Sequence, residues 1–314
     1  MTRSFVVSIG GNALLPAGSA GTIEEQYRIT RKTMAPIVDL VREGRVVLTH
    51  GNGPVVGNIL IRNEAARAQV PPMPLDVCGA DSQGGLGYMI QQTLQNLLVE
   101  EGLAHQVVTV VSQVVVDGDD PGFRNPSKPI GPFYGAEQAL EFEGTKGWRM
   151  VQDSGRGFRR VVPSPMPKRI VEMPAIRTLY DAGHVVIAAG GGGIPVVEDP
   201  AGMLHGVEAV IDKDLASVVL ATALGARSLL IITAVDAVAI DYGKPTQRWL
   251  SSLTPEDAAR HLEEGQFPEG SMGPKIRAAI RFLSEGGGEV CITSPSRVLD
   301  ALEGRAGTWI TRTT

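Results

Sequence analysis

The sequence predicts an α/β protein in which helices cover both faces of a mostly parallel sheet, a three-layer sandwich. Three observations predict it. Short β-branched runs recur along the chain, and most lack the polar alternation of a half-exposed strand. Helical stretches with recognisable ends lie between several of these runs. Three of the runs pass directly into glycine-rich turns, as strands do where an open sheet meets a ligand.

In chain order, residues 5–9 form the first apolar run. Thr22 with Glu25 makes a capping box for a helix reaching toward Val41, which Pro36 should kink or interrupt and Gly44 should stop. Further strands are expected at 46–49, 106–116, 184–189, 228–233 and 289–293. Residues 214–224 read as a buried helix ending at Gly225. Thr254, Pro255, Glu256 and Asp257 supply an N-cap, a first-turn proline and early acids for a helix to about Glu264. Pro274 opens a last helix to Glu285, capped by Gly286. Residues 117–167, rich in Pro, Gly and aromatics, break this rhythm. A structureless stretch of that length is improbable inside a domain, so a protruding lobe or lid is expected, with a disordered linker as the alternative.

Bulk properties exclude several classes. Hydrophobic residues make up 43% of the 314, enough for a core, and the net charge is −5. No basic field advertises nucleic acid or an anionic membrane, so any polyanion site must be built locally. Cys78 and Cys291 are far apart and in no metal-ligand spacing, which suits a reduced, cytoplasmic setting. No export signal or membrane span is read.

The chemistry concentrates in the turns. Gly10-Gly11-Asn12, His50-Gly51-Asn52-Gly53-Pro54 and Gly190-Gly191-Gly192-Gly193 each follow an apolar run. Glycine lets backbone N–H groups approach an anion, although one such turn alone also serves ordinary chain reversal. Neither a P-loop nor a dinucleotide fingerprint is present. Only seven of the 29 basic residues are lysines, and three have special settings. Lys213 lies between Asp212 and Asp214 before a helix, Lys275 follows Gly270-Ser271-Met272-Gly273-Pro274, and Lys128 sits between Ser127 and Pro129 in the expected lobe. A cation in a helix's first turn opposes the macrodipole unless an anion binds there too. The bland readings are a structural ion pair for Lys213 and a solvated surface position for Lys275. The five histidines, none in metal-ligand spacing, read as structural, with His50 bracing its loop. Met89, Phe282 and Trp249 read as core.

With these motifs, and with Lys128-Pro129-Ile130-Gly131-Pro132-Phe133-Tyr134 and Glu208-Ala209-Val210-Ile211-Asp212-Lys213-Asp214, nearly the whole chain resembles carbamate kinase of the amino-acid kinase fold. The resemblance implies one domain over 1–314 with an about eight-stranded sheet, the 117–167 lobe near the active site, and a homodimer. It implies reversible, Mg²⁺-dependent phosphoryl transfer between ATP and a very small acid, carbamate. Where other members of the fold carry a lysine two residues before the first Gly-Gly, this chain has Ser8, and Lys128 is the candidate replacement. Val55 stands where glutamine is expected and Asp81 where an apolar residue is expected. Asp81 should therefore either alter the acceptor or pair with an arginine.

In the roles so implied, Gly10, Gly11, Asn12, Gly51, Asn52 and Gly53 hold the acceptor and the transferring group through N–H donors. Lys128 and Lys213 neutralise the moving phosphoryl group, and Lys275 contacts the nucleotide phosphates. Asp212 and Asp214 orient the lysines or help place Mg²⁺, with no metal ligand assigned. Thr233, Val235, Asp236, Tyr242, Met272 and Gly273 belong to the ATP/ADP side. The competing readings are a kinase of the same fold acting on another small acid, and a nucleotide-binding regulatory or scaffold protein without catalysis.

Overall fold

Every second residue of a strand faces the same side, and here both sides are apolar. The computed structural model describes residues 3–16, 19–153 and 155–312. In strand β1 (Arg3–Ile9), Phe5, Val7 and Ile9 pack with Val46 and Leu48 of strand β2 (Gly44–His50) under the helices Ile23–Met34, Ile37–Glu43 and Leu75–Glu100. On the other face Val6 and Val47 join Leu229 and Ile231 beneath the helices Lys213–Leu224 and Met272–Ser284. Both faces are covered, which is why the runs read as uninterrupted apolar sequence.

The central sheet has eight strands in the order Ser252–Leu253, Thr308–Thr311, Glu289–Thr293, Ser228–Ile232, β1, β2, Val185–Ile187, Val107–Thr109. All neighbours run parallel except the pair Glu289–Thr293 and Thr308–Thr311. Strands from the first part of the chain lie to one side of β1 and those from the last part to the other. The crevice at the carboxyl end of β1 is thus the switch point where such sheets bind ligands. Ile9 is level with both His50 and Ile232, so Gly10, Gly51 and Thr233 leave the sheet side by side.

Local signals account for several helix ends. The Thr22 side chain accepts from the Glu25 N–H at 3.2 Å, and Pro36 divides the expected single helix into two, Ile23–Met34 and Ile37–Glu43. The Thr254 side chain caps Pro255–Glu263. Gly225, with φ 66°, ends Lys213–Leu224 in the left-handed conformation.

Several expectations need correction. Residues 106–116 form two strands: Val107–Thr109 edges the central sheet, and Gln113–Val116 joins a separate four-stranded sheet with Pro167–Ile170, Ile194–Glu198 and Leu204–Gly206. The last long helix starts at Met272, two residues before Pro274, which is tolerated because first-turn N–H groups lack helical partners anyway. Trp249 is 54% exposed rather than core, standing edge-on to Tyr242 at 6.3 Å.

Residues 128–162 form an antiparallel sheet of Lys128–Tyr134, Phe158–Val162 and Arg149–Gln152, with helix Ala136–Lys146. It docks on helix Val55–Ala65, where a Cβ added to Gly57 would lie 3.0 Å from the Gly131 Cα. Lys146 reaches Glu64 on that helix at 2.6 Å.

Candidate active site

In the first two turns the leading glycine is spent on the sheet. Gly10 N–H donates to the Ile232 carbonyl and Gly51 N–H to that of Ile9, both at 2.9 Å. These two amides therefore cannot serve an anion as expected. The donors left are those of Gly11 and Asn12, which open the short helix Gly11–Leu14, and of Asn52 and Gly53. The two turns touch backbone to backbone: a Cβ on Gly11 would sit 2.3 Å from the Gly53 nitrogen, and Gly53 itself has φ 51°. Asn52 is fixed by the Ser82 hydroxyl, which donates to its Oδ1 at 2.8 Å.

Gly190-Gly191-Gly192-Gly193 does not form a third cradle. The turn is buried, and the N–H groups of Gly192 and Gly193 donate to Ala189 and Gly190. Its glycines instead make room for the functional loops. A Cβ on Gly190 would meet His50 Nε2 at 2.4 Å, and one on Gly191 would meet Asn52 Oδ1 at 2.3 Å. His50 is fully buried, with Nδ1 3.3 Å from the Gly51 carbonyl and Nε2 without a partner among the described residues. Burial, reinforced by the Lys213 charge, pushes its pKa down to about 4. It is neutral at physiological pH.

The start of helix Lys213–Leu224 organises the charges. Asp212 is its N-cap: Oδ1 accepts from the N–H groups of Asp214 at 2.9 Å and Leu215 at 3.4 Å. Its Oδ2 takes the Lys128 ammonium at 2.8 Å, across 84 residues of sequence. Asp214, buried at the second position of the helix, receives Ser8 Oγ at 2.8 Å and the Lys213 ammonium on Oδ1, and Lys275 at 3.3 Å on Oδ2. All three lysines therefore converge on one aspartate pair. Lys275 is no solvated surface residue, since its side chain is 14% exposed. Lys213 is an ion pair, as its bland reading held, but one placed at the mouth of the glycine turns. A Cβ on Gly51 would meet its Cδ at 3.1 Å.

Electrostatics follow from that packing. Burial would raise the Asp214 pKa, but Lys213 and Lys275 outweigh it and hold the carboxyl well below the usual range. Burial likewise opposes ionisation of Asp212, and Lys128 beside it prevails. Burial lowers the Lys213 pKa although Asp214 resists. Three ammonium groups against two carboxylates leave a net charge of +1 (three minus two) in a chain of net −5. Such a centre calls for a further anion.

Other expected residues are spread along one side. Thr233, Val235 and Asp236 follow strand Ser228–Ile232; the Asp236 carboxylate accepts from Ser294 Oγ at 2.5 Å. Met272 and Gly273 begin the helix that carries Lys275. Tyr242, 61% exposed, makes no hydrogen bond to the lysine cluster among the described residues. Val55, at the first position of helix Val55–Ala65, packs against the core beneath Leu75–Glu100. Asp81 is exposed, and the arginine partner expected for it is absent among the described residues. Sequence reasoning noted Ser8 only for the lysine it replaces and missed Ser217 and Thr49; single buried hydroxyls leave no pattern to read.

The amino acid kinase family profile matches residues 3–294. A carbamate kinase of Thermococcus kodakarensis is 49% identical over 99% of both chains. The carbamate kinase-like protein YahI of Escherichia coli is 48% identical over the full length of both. The solved carbamate kinase of Giardia lamblia bound to AMP-PNP superposes with a TM-score of 0.91 at 41% identity, covering 98% of each chain.

Proposed function

Because the chain belongs to the amino acid kinase family, we propose that it is a carbamate kinase, moving a phosphoryl group reversibly between ATP and carbamate. One observation carries the reading: Lys128, Lys213 and Lys275 meet on Asp212 and Asp214 beside the open amides of Gly11, Asn12, Asn52 and Gly53. The full-length likeness to carbamate kinases supports the acceptor, and the AMP-PNP-bound relative supports ATP/ADP as the nucleotide.

The acceptor carboxylate is ionised at neutral pH, so no base is needed, and the obstacle is repulsion between two anions. Phosphoryl transfer of this kind rests on positioning and charge neutralisation. Lys213 is held between Ser8, Asp214 and the Gly51 turn, and Lys128 reaches in from the lobe. Both are placed to neutralise the moving group. Lys275, at a helix start, adds its charge to the N-terminal dipole on the nucleotide side. Asp212 and Asp214 orient these ammonium groups. Their oxygens are engaged by lysines, backbone and Ser8, and no group of three or more His, Cys, Asp or Glu among the described residues could hold a metal. Mg²⁺ therefore fits as an ion carried by the nucleotide phosphates and water, with few protein ligands.

ATP formation from ADP, Mg²⁺ and carbamoyl phosphate tests the reading, and no ATP above background would overturn it. A second reading, a kinase for another small carboxylate, is favoured by Asp81, which is unpaired among the described residues. A panel of acceptors in an ADP-release assay separates the two.

We also propose a cytoplasmic homodimer. Val77, Tyr88 and Val99 stand exposed eleven residues apart on one stripe of helix Leu75–Glu100, a face suited to a second copy. Sedimentation at the monomer mass would refute it. Both cysteines are free and buried, which suits a reducing compartment, and among the described residues no helix is long and apolar enough to cross a membrane.

A further inference from the structure

Strand β1 buries one hydroxyl among apolar neighbours. Alternation puts Ser8 on the face of Val6, under helix Lys213–Leu224, with no solvent exposure. A hydroxyl so buried is costly unless bonded, and this one is bonded twice to charged groups. It accepts from the Lys213 ammonium at 2.9 Å and donates to Asp214 Oδ1 at 2.8 Å. An ammonium has three N–H donors. Among the described residues Ser8 and Asp214 take two and the third has no partner; the lysine stem lies against the Gly51 turn. The other end of Lys213 is also held: its carbonyl accepts from Ser217 Oγ at 2.7 Å, and Ser217 Oγ lies 2.6 Å from Thr49 Oγ1 of β2.

We propose that Ser8 is a positioning residue, a second anchor that holds the Lys213 ammonium in place with its uncommitted N–H toward the phosphoryl site. The kinetic consequence rests on the carbamate kinase reading above. Without the hydroxyl, one of the two anchors is gone: Asp214 alone holds the ammonium, a second N–H is left without its partner, and the tip of the side chain is placed less tightly. The ground-state charge stays in place while its alignment on the moving phosphoryl is lost. The deficit should therefore fall on kcat and spare KM.

The test compares Ser8→Ala and Ser8→Thr with the wild type in ATP synthesis from ADP, Mg²⁺ and carbamoyl phosphate, with thermal unfolding to confirm that each variant is folded. Losing one hydrogen bond to a charged group should lower kcat of Ser8→Ala by about tenfold or more, with KM moving by less than about twofold. Ser8→Thr, which keeps the hydroxyl on a residue suited to strands, should recover most of the rate. A second readout is independent of turnover: the ¹⁵N-lysine ammonium signal of Lys213, assigned by its loss in Lys213→Arg, should exchange with water much faster in Ser8→Ala. Wild-type kcat in Ser8→Ala, or equal losses in both variants, overturns the proposal. If the wild type makes no ATP, the kinase reading fails, and the ammonium signal alone decides: unchanged exchange in Ser8→Ala then overturns the role of Ser8, and faster exchange supports it.

Discussion

Replacing Asp214 with asparagine removes one negative charge and almost no volume from the centre of the lysine cluster. The carboxylate is 3% exposed and engages Lys213 and Lys275, whose side chains are 12% and 14% exposed. The variant leaves three ammonium groups facing one carboxylate, a local charge of +2 (three minus one). Solvent screening is weak here, and removing one partner of a buried pair typically costs ~3–5 kcal/mol. Urea unfolding of Asp214→Asn should show a loss of about that size. The pH dependence has a definite sign. The folded-state pKa of Asp214 lies below its ordinary value of 3.8. Its stabilisation is therefore present above pH ~4 and fades as pH falls further, so wild-type and variant curves should converge in acid. A polyanion such as pyrophosphate should stabilise the variant more than the wild type, because it supplies the missing charge. A loss under about 1 kcal/mol at pH 7 would refute the view of Asp214 as the keystone of the cluster.

Other expectations follow from the same geometry. Lys128→Ala should reduce turnover by on the order of 10²–10³ with the fold intact, and near-normal rates would remove its assigned role. Gly11→Ala drives a methyl into the Gly53 backbone at 2.3 Å; it should cost about 1–3 kcal/mol by thermal unfolding and more than tenfold in activity, and tolerance would show the turns are not in contact. His50, with its pKa lowered from 6.5 to about 4, should cost the protein about 3 kcal/mol as pH falls from 6.5 to 4, because the unfolded chain binds the proton first. His50→Gln should lack that slope in urea unfolding measured across pH. Asp81→Met should raise turnover of carbamoyl phosphate if Asp81 selects against a second anion, and equal rates would remove it from the acceptor site.

The sheet was legible because strands covered on both faces carry continuous apolar sequence, and capped helices because Thr22 and Thr254 advertise local bonds. The helix Leu75–Glu100 was not, since Gly79, Gly84, Gly85 and Gly87 lower its intrinsic preference. Burial overrides that preference, and Gly87 packs where a Cβ would lie 2.4 Å from Thr109 Cγ2. The lysines of the site could be nominated from their unusual settings. Their meeting could not, because Lys128 finds Asp212 over 84 positions and Ser8 finds Asp214 over 206. The four-glycine turn misled for a related reason: glycine signals close approach without saying to what, and here the neighbour is His50 and Asn52.

The bare contact of Gly11 with Gly53 has one more consequence. A Cβ added to Gly11 would collide with the Gly53 main chain, so the two turns face each other with no side chain or rotamer in between to soften their spacing. It works as a gauge block. Warming the protein, or exchanging side chains around it, loosens many spacings in a molecule before it loosens this one. The amides flanking that gap should accordingly keep their separation as the temperature rises.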